Sequence, residues 1–318
     1  MIRRLITFAC LALATCATPA FAVDCKPDQR KLHGKCVSKR AMPVAAPADP
    51  FASLKPAPTA KTQPEIGQKV RSGDSFTDVW HLGRKRSGFE GTVSAPVVGA
   101  TLRNIKVTDP GSYGISFCRA SHVVIDGFQI TRSEPAKVPV PTGIGFGRSG
   151  CGVTGADITI ANGIVSGFVS PRVADTYWNG DGVAVERYDG VSIVNVIAEN
   201  NADAGFDLKS TGTWLDRTTA RANGRNYRFW GDGKAGTITS EEPRGAHVWV
   251  NAKTPQSWTI AKLIARSKTS APILRIENNH PVSITIERCD LSVPAGTQLL
   301  WGGRKATVTW GPGCEVRR

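Results

Sequence analysis

Short apolar runs with a period of two fill the chain from about residue 95 onward, and no helical segment separates them. One series reads "NIKV" from Asn104, "HVVIDGFQI" from His122, "ADITIANGIV" from Ala156 and "GVSIVNVIAE" from Gly190. It continues as "TWLDRTTA" from Thr213, "SWTIAKLIA" from Ser257, "PVSITIERCDL" from Pro281 and "ATVTW" from Ala306. A second series lies between: "YGISF" from Tyr113, "TGIGFG" from Thr142, "DGVAVE" from Asp181, "AGFDLK" from Ala204, "NYRFW" from Asn226, "AHVWV" from Ala246 and "APILRIE" from Ala271. Gly182 to Glu186 thus returns as Gly205 to Lys209. Two or three short strands per unit of about 23 residues predict an all-β solenoid of stacked coils, whereas a sandwich would show hairpin loops without a constant repeat. The paired Asn200-Asn201 and Asn278-Asn279 suit turns, where asparagine takes the left-handed conformation.

The alternation also assigns faces. If Val183, Val185, Phe206, Leu208, Tyr227, Phe229, Val248 and Val250 point inward, then Ala184, Glu186, Asp207, Lys209, Arg228, Trp230, His247 and Trp249 point outward. Rungs stack about 4.8 Å apart, which puts Asp207 between Ala184 and Arg228, and Lys209 between Glu186 and Trp230. Such a face suits a glycan, because indoles stack on sugar rings while Lys and Arg pair with uronate carboxylates. Two longer excursions, Ser133 to Thr142 and Ser170 to Asp181, are expected to wall a groove, the second bringing Tyr177 and Trp178 toward it. The plainer reading of the same face is a solvated ladder of salt bridges.

Asp181 and Asp203 lie about one coil apart, so their carboxyls can approach within roughly one rung. Close carboxylates push one pKa up, as a general acid beside a base requires. Asp181, Asp203, Asp207, Lys209 and Arg228 are therefore the catalytic candidates, with Tyr177, Trp178, Glu186, Arg225, Trp230, His247 and Trp249 as substrate-binding ones. The competing role for Asp181 and Asp203 is to cap coil corners as Asx-turn residues. A lyase would instead need a basic residue as proton acceptor, for which Lys209, Arg225 and Arg228 are available.

The pattern "N-G-D-G-V-x-V", then "V-S-I-x-N-x-x-A-x-N-N", then "G-F-D-L-K-S" resembles the right-handed parallel β-helix proteins of the pectin-lyase-like superfamily, over roughly residues 95 to 310. The resemblance implies a right-handed parallel β-helix. It implies no single activity, since that superfamily spans lyases, hydrolases, epimerases, tailspikes and adhesins. Asn179-Gly180-Asp181 is similar to the N-T-D motif of polygalacturonases with Gly in place of Thr, and Ala202-Asp203-Ala204 to their D-D with one carboxylate kept. The histidine motif is replaced by Asn223-Gly224-Arg225-Asn226, and Arg275-Ile276-Glu277 only faintly echoes R-I-K.

Upstream of the repeats, Arg3 and Arg4, the apolar run Leu5 to Ala14 and Ala20-Phe21-Ala22 read as a signal peptide over 1–22. The run is too short to span a bilayer, so no transmembrane segment is expected, and the Thr15 before Cys16 argues against a lipid anchor. The expected location is secreted or periplasmic. Residues 23–40 read as a small basic segment stapled by Cys25 and Cys36, 41–67 as a linker rich in Pro and Ala, and 68–318 as the solenoid with its N-terminal cap. Cys118 with Cys151 and Cys289 with Cys314 complete the expected disulfides. No cysteine has zinc-site spacing, so no metal is expected.

The formal charge of +14 falls to +12 when Arg3 and Arg4 leave with the signal, and such a field attracts polyanions. The expected partner is an acidic polysaccharide or cell-envelope glycan, not nucleic acid; oligomeric state is not indicated. No cofactor is called for, and calcium is left open because no tight aspartate cluster signals it. Three function classes follow: an enzyme on an acidic polysaccharide, hydrolase or lyase; a non-catalytic glycan or envelope-binding module; and a structural or adhesive solenoid.

Overall fold

A computed structural model describes residues 29–32, 35–38, 63–64, 67–83, 87–147, 151–152, 155–173, 177–278 and 280–316. The chain divides into two compact units, Met1–Pro47 and Ala48–Arg318. In the first, strands Gln29–Leu32 and Lys35–Ser38 form an antiparallel pair. The signal segment, the Cys25 to Cys36 pairing and most of the linker lie outside the described residues. Parallel pairing begins with Gln63–Pro64 against Trp80–Leu82, inside the stretch expected to be linker.

The second unit is a parallel β-helix. Every strand pairing described in it is parallel, and no α-helix occurs among the described residues. One sheet, here called the site sheet, stacks Tyr113–Phe117, Thr142–Phe146, the start of Asp181–Glu199, Ala204–Thr211, Arg225–Phe229, Ala246–Ala252, Leu274–Asn278 and Leu300–Gly302. Val183 faces Phe206, Phe206 faces Tyr227, and Tyr227 faces Val248, the register that the alternation predicts. Between the runs that start at Thr213 and Ser257 the chain supplies a further rung, Gly233–Glu241.

The core is built from stacked like residues. Phe206 and Tyr227 stack with ring centroids 5.2 Å apart, and Phe229 stacks at 3.7 Å on Trp258 from another sheet. The Tyr227 hydroxyl donates to the carbonyl oxygens of Thr218 and Thr239. Removing it in Tyr227→Phe strands those buried acceptors and is expected to cost about 1–3 kcal/mol, seen as a lower denaturation midpoint. Cys118–Cys151 and Cys289–Cys314 are both disulfides, as their positions suggested.

Corners use asparagine in two ways. Asn104, Asn162, Asn195 and Asn200 adopt positive φ, and the Asn195 amide donates to Asn162 Oδ1 at 2.9 Å. Asn201, Asn223 and Asn226 instead form a wholly buried ladder, with Asn201 Nδ2 donating to Asn223 Oδ1 and Asn223 Nδ2 to Asn226 Oδ1. These buried amides are thereby satisfied in part by their own stacking.

Candidate functional site

The site lies where the site sheet begins, at the turns entering three successive coils. Gly180 permits the first of these: its φ is 140°, and a Cβ there would sit 2.1 Å from the Phe168 carbonyl oxygen. Asp181 follows, 7% exposed, with Oδ1 accepting the Ala204 N–H at 3.0 Å. Burial first, then the charges of Asp207 and Asp203, hold its carboxyl well above the usual carboxylate range.

Asp203 is 2% exposed, and cations and a phenol surround it. Its Oδ1 accepts the Tyr177 hydroxyl at 2.6 Å and Arg225 Nη1 at 2.5 Å, while Oδ2 accepts Arg228 Nη1 at 2.9 Å. Asp207 pairs with Ala184 and Arg228 in register, as expected. Its Oδ1 accepts Trp230 Nε1 at 2.6 Å, and Lys209 Nζ lies 3.0 Å from Oδ2. Lys209 also binds Glu186 at 2.7 Å. Three aspartates from two consecutive coils thus converge under a cationic cover.

Burial by itself would lower the Lys209 ammonium, but the Asp207 charge and the Glu186 hydrogen bond outweigh it and hold the pKa above its ordinary value. For Arg228, likewise, the charges of Asp207 and Asp203 outweigh burial. Burial and the neighbouring Asp203 also push the Tyr177 phenol up. Lys209, Arg228 and Tyr177 are therefore poor proton acceptors near neutrality.

Trp249 organises the arginines. It does project outward, in line with Arg228, but is only 5% exposed because the Arg225 guanidinium lies 3.9 Å and that of Arg228 4.5 Å from its ring. A sugar cannot stack on Trp249 as the sequence suggested; the ring is a platform that orients guanidinium groups. The column continues through Arg275 to Trp301, which is 43% exposed. The Arg275 guanidinium sits 4.3 Å over the Trp301 ring.

Two expected positions need correction. His247 does not point outward: it is wholly buried, its Nδ1 lies 2.8 Å from Ser240 Oγ, and burial lowers its pKa to about 4. It stands at the coil corner before strict alternation begins, one rung beyond Asn226, whose side chain is likewise wholly buried. Trp178 packs away from the carboxylates, donating Nε1 to the Ser170 carbonyl at 2.9 Å, with Arg172 and Arg244 each 5.2 Å from its ring. It anchors the excursion that brings half-exposed Tyr177 over Asp203.

Arg244 and Trp301 join the site without a role in the sequence reading, and Arg275, there only a faint echo of R-I-K, joins them. Arg244 donates to the Asn201, Ala202 and Ala222 carbonyls and so fixes the turn bearing Asp203. Arg275 and Trp301 follow from extending the outward alternation two coils past Trp249. Among the described residues, no grouping of three or more His, Cys, Asp or Glu is arranged to hold a metal ion. None of their helices is long and apolar enough to cross a membrane.

No family model matches the chain, and no curated protein matches it significantly. Among solved structures, an alginate lyase from Paenibacillus sp. str. FPU-7 is similar at 13% identity and a TM-score of 0.37, covering 80% of this chain and 95% of that one. The surface protein and adhesin PfbA of Streptococcus pneumoniae is similar at 11% identity and 0.38, covering 79% and 80%. The enzymatically active domain of bacteriophage CBA120 tailspike protein 2 is similar at 11% identity and 0.34, covering 76% of this chain and 43% of that one.

Proposed function

We propose that this chain is an exported protein that hydrolyses an acidic polysaccharide on the site sheet. The observation that carries the reading is the convergence of buried Asp181, whose carboxyl burial and its neighbours push well above the usual carboxylate range, with two aspartates that are held in ion pairs. Environments that separate the protonation of neighbouring carboxyls supply an acid and a base together. Asp181 gives its proton to the glycosidic oxygen as that bond breaks. Asp203 takes a proton from the attacking water, whose hydroxyl joins the anomeric carbon. Uronate carboxylates occupy Arg225 and Arg228, drawing both guanidinium groups from Asp203 and leaving it free to act. Arg275 and the exposed face of Trp301 extend the binding track along the solenoid.

A lyase needs an unprotonated base, and Lys209 and Arg228 are both held in their charged forms. A non-catalytic glycan-binding module is the second reading, favoured by the near-complete burial of Asp203 and Asp207 beneath their cations. The two disulfides and the basic charge support export and a polyanionic partner. The test is incubation with a panel of uronate and neutral polysaccharides, following reducing ends and the absorbance of unsaturated products. Reducing ends without unsaturation, on uronates only, are expected. Unsaturated products would mean a lyase; salt-sensitive binding without turnover would mean a binding module; neither would leave a structural solenoid.

A further inference from the structure

A groove lies toward the far end of the site-sheet strands, bordered by Glu186, Lys209 and Trp230. Strand Asp181–Glu199 does not stop at the sheet edge but turns a corner, with a register shift between Glu186 and Asp189 and positive φ at Arg187. Residues of that corner line a groove of about 930 Å³. Ser121, Arg187, Lys209, Trp230, Lys253 and Thr254 are among the residues that line it.

The chemistry of this groove differs from that of the aspartate cluster. Trp230 is fixed by its Nε1 bond to Asp207, so its ring is held at a set angle. Lys253 is exposed, 5.0 Å from the Trp230 ring centroid, and has no acidic partner among the described ion pairs. Lys209, on the same ring at 5.6 Å, is already neutralised by Glu186 and Asp207. The groove therefore combines an oriented indole, the Lys253 ammonium without an acidic partner among the described ion pairs, the Arg187 guanidinium, and the Glu186 and Asp189 carboxylates as acceptors for hydroxyl groups. It is continuous with the proposed cleavage site, because Glu186, Lys209 and Trp230 border both.

We infer that this groove is a separate subsite for one anionic sugar residue of the polysaccharide, its carboxylate on Lys253 and its ring against Trp230. The inference rests on the proposed hydrolase reading and deepens it: the glycan turns off the site sheet at the Glu186 to Asp189 corner rather than running along the sheet alone. A chain too short to reach the corner gains nothing from the groove. A longer one gains an additional contact and binds more tightly.

The experiment measures affinity and turnover for size-graded oligouronates, using the full chain and two variants at exposed positions. Lys253→Ala removes that ammonium, and Thr254→Trp fills the groove. In the wild type, affinity is expected to rise at least tenfold once the oligomer reaches the groove. Both variants, with unchanged thermal midpoints, should lose that increment while short oligomers bind and turn over as before. Length-independent affinity in the wild type, or an undiminished increment in both variants, overturns the groove and leaves the cleavage site standing. Equal losses for short and long oligomers also overturn it, by assigning Lys253 to the shared track. Absence of both binding and turnover with any oligouronate in the wild type overturns the hydrolase reading and the groove with it.

Discussion

Asp181→Asn is expected to lower turnover of the polysaccharide by roughly 10²–10⁴-fold, the range spanned by general acid catalysis, while substrate affinity stays within about twofold. The amide keeps the shape of the carboxyl, and its oxygen can still accept the Ala204 N–H that Asp181 Oδ1 accepts now. What it lacks is a proton to give the leaving oxygen. In the wild type, activity should fall as pH rises through the raised pKa of Asp181, since only the protonated form is an acid. Steady-state kinetics across pH separate these effects: a variant as active as wild type removes Asp181 from the chemistry.

The same substitution reports on stability with a definite sign. At pH below the ordinary carboxylic range, folded and unfolded chains both keep the Asp181 proton. As pH rises through that range, the unfolded chain releases it while the folded chain retains it, so stability falls until pH passes the raised folded value. Asparagine cannot ionise and removes this decline. Asp181→Asn should therefore unfold at a higher temperature than wild type at neutral pH, with the gain vanishing in acid. A residue whose replacement disables turnover and stabilises the fold is one kept for function at a cost to stability.

The backbone was the legible part of this protein. Period-two alternation is a direct consequence of strand geometry, so the register that stacks Val183, Phe206 and Tyr227 and lines Asp207 up with Arg228 is written in the sequence. Alternation says nothing about corners, which is why His247, at the start of its rung, was assigned outward when it fills the coil interior. Nor does it say where a long side chain ends. Arg228 is in register with Asp207, yet its Nη1 crosses to Asp203 on the preceding turn. The cover of arginines over the carboxylates depends on such reach and on Trp249 beneath them, and neither has a signature in spacing. Trp178 is a similar case: a tryptophan beside Tyr177 in a long excursion looks like a sugar platform, but its indole N–H is used by the Ser170 carbonyl of the same excursion.

Arg228→Ala should be the most damaging single change in the site sheet. From the sequence it would remove one contact to a bound carboxylate, with a loss of at least tenfold in affinity. The structure adds a second consequence. Arg228 bridges Asp203 and lies near Asp207, both 2% exposed, and its guanidinium packs against Trp230 and Trp249 at 4.5 Å each. Its removal strands buried negative charge and opens space between two indoles, a loss of about 3–5 kcal/mol when one partner of a buried ion pair is deleted. Asp203 retains Arg225 and the Tyr177 hydroxyl, which places the expectation at the lower end of that range. Arg275→Ala is the control, because Arg275 is about one-third exposed and paired with the equally exposed Glu277. It should weaken salt-sensitive uronate binding with little change in unfolding midpoint. Chemical denaturation and titration with an oligouronate distinguish the two: equal stability losses in both variants would mean that Arg228 is a surface cation like Arg275. Unchanged affinity in Arg228→Ala, measured where the variant is folded, would mean that the arginines serve only to neutralise the buried aspartates.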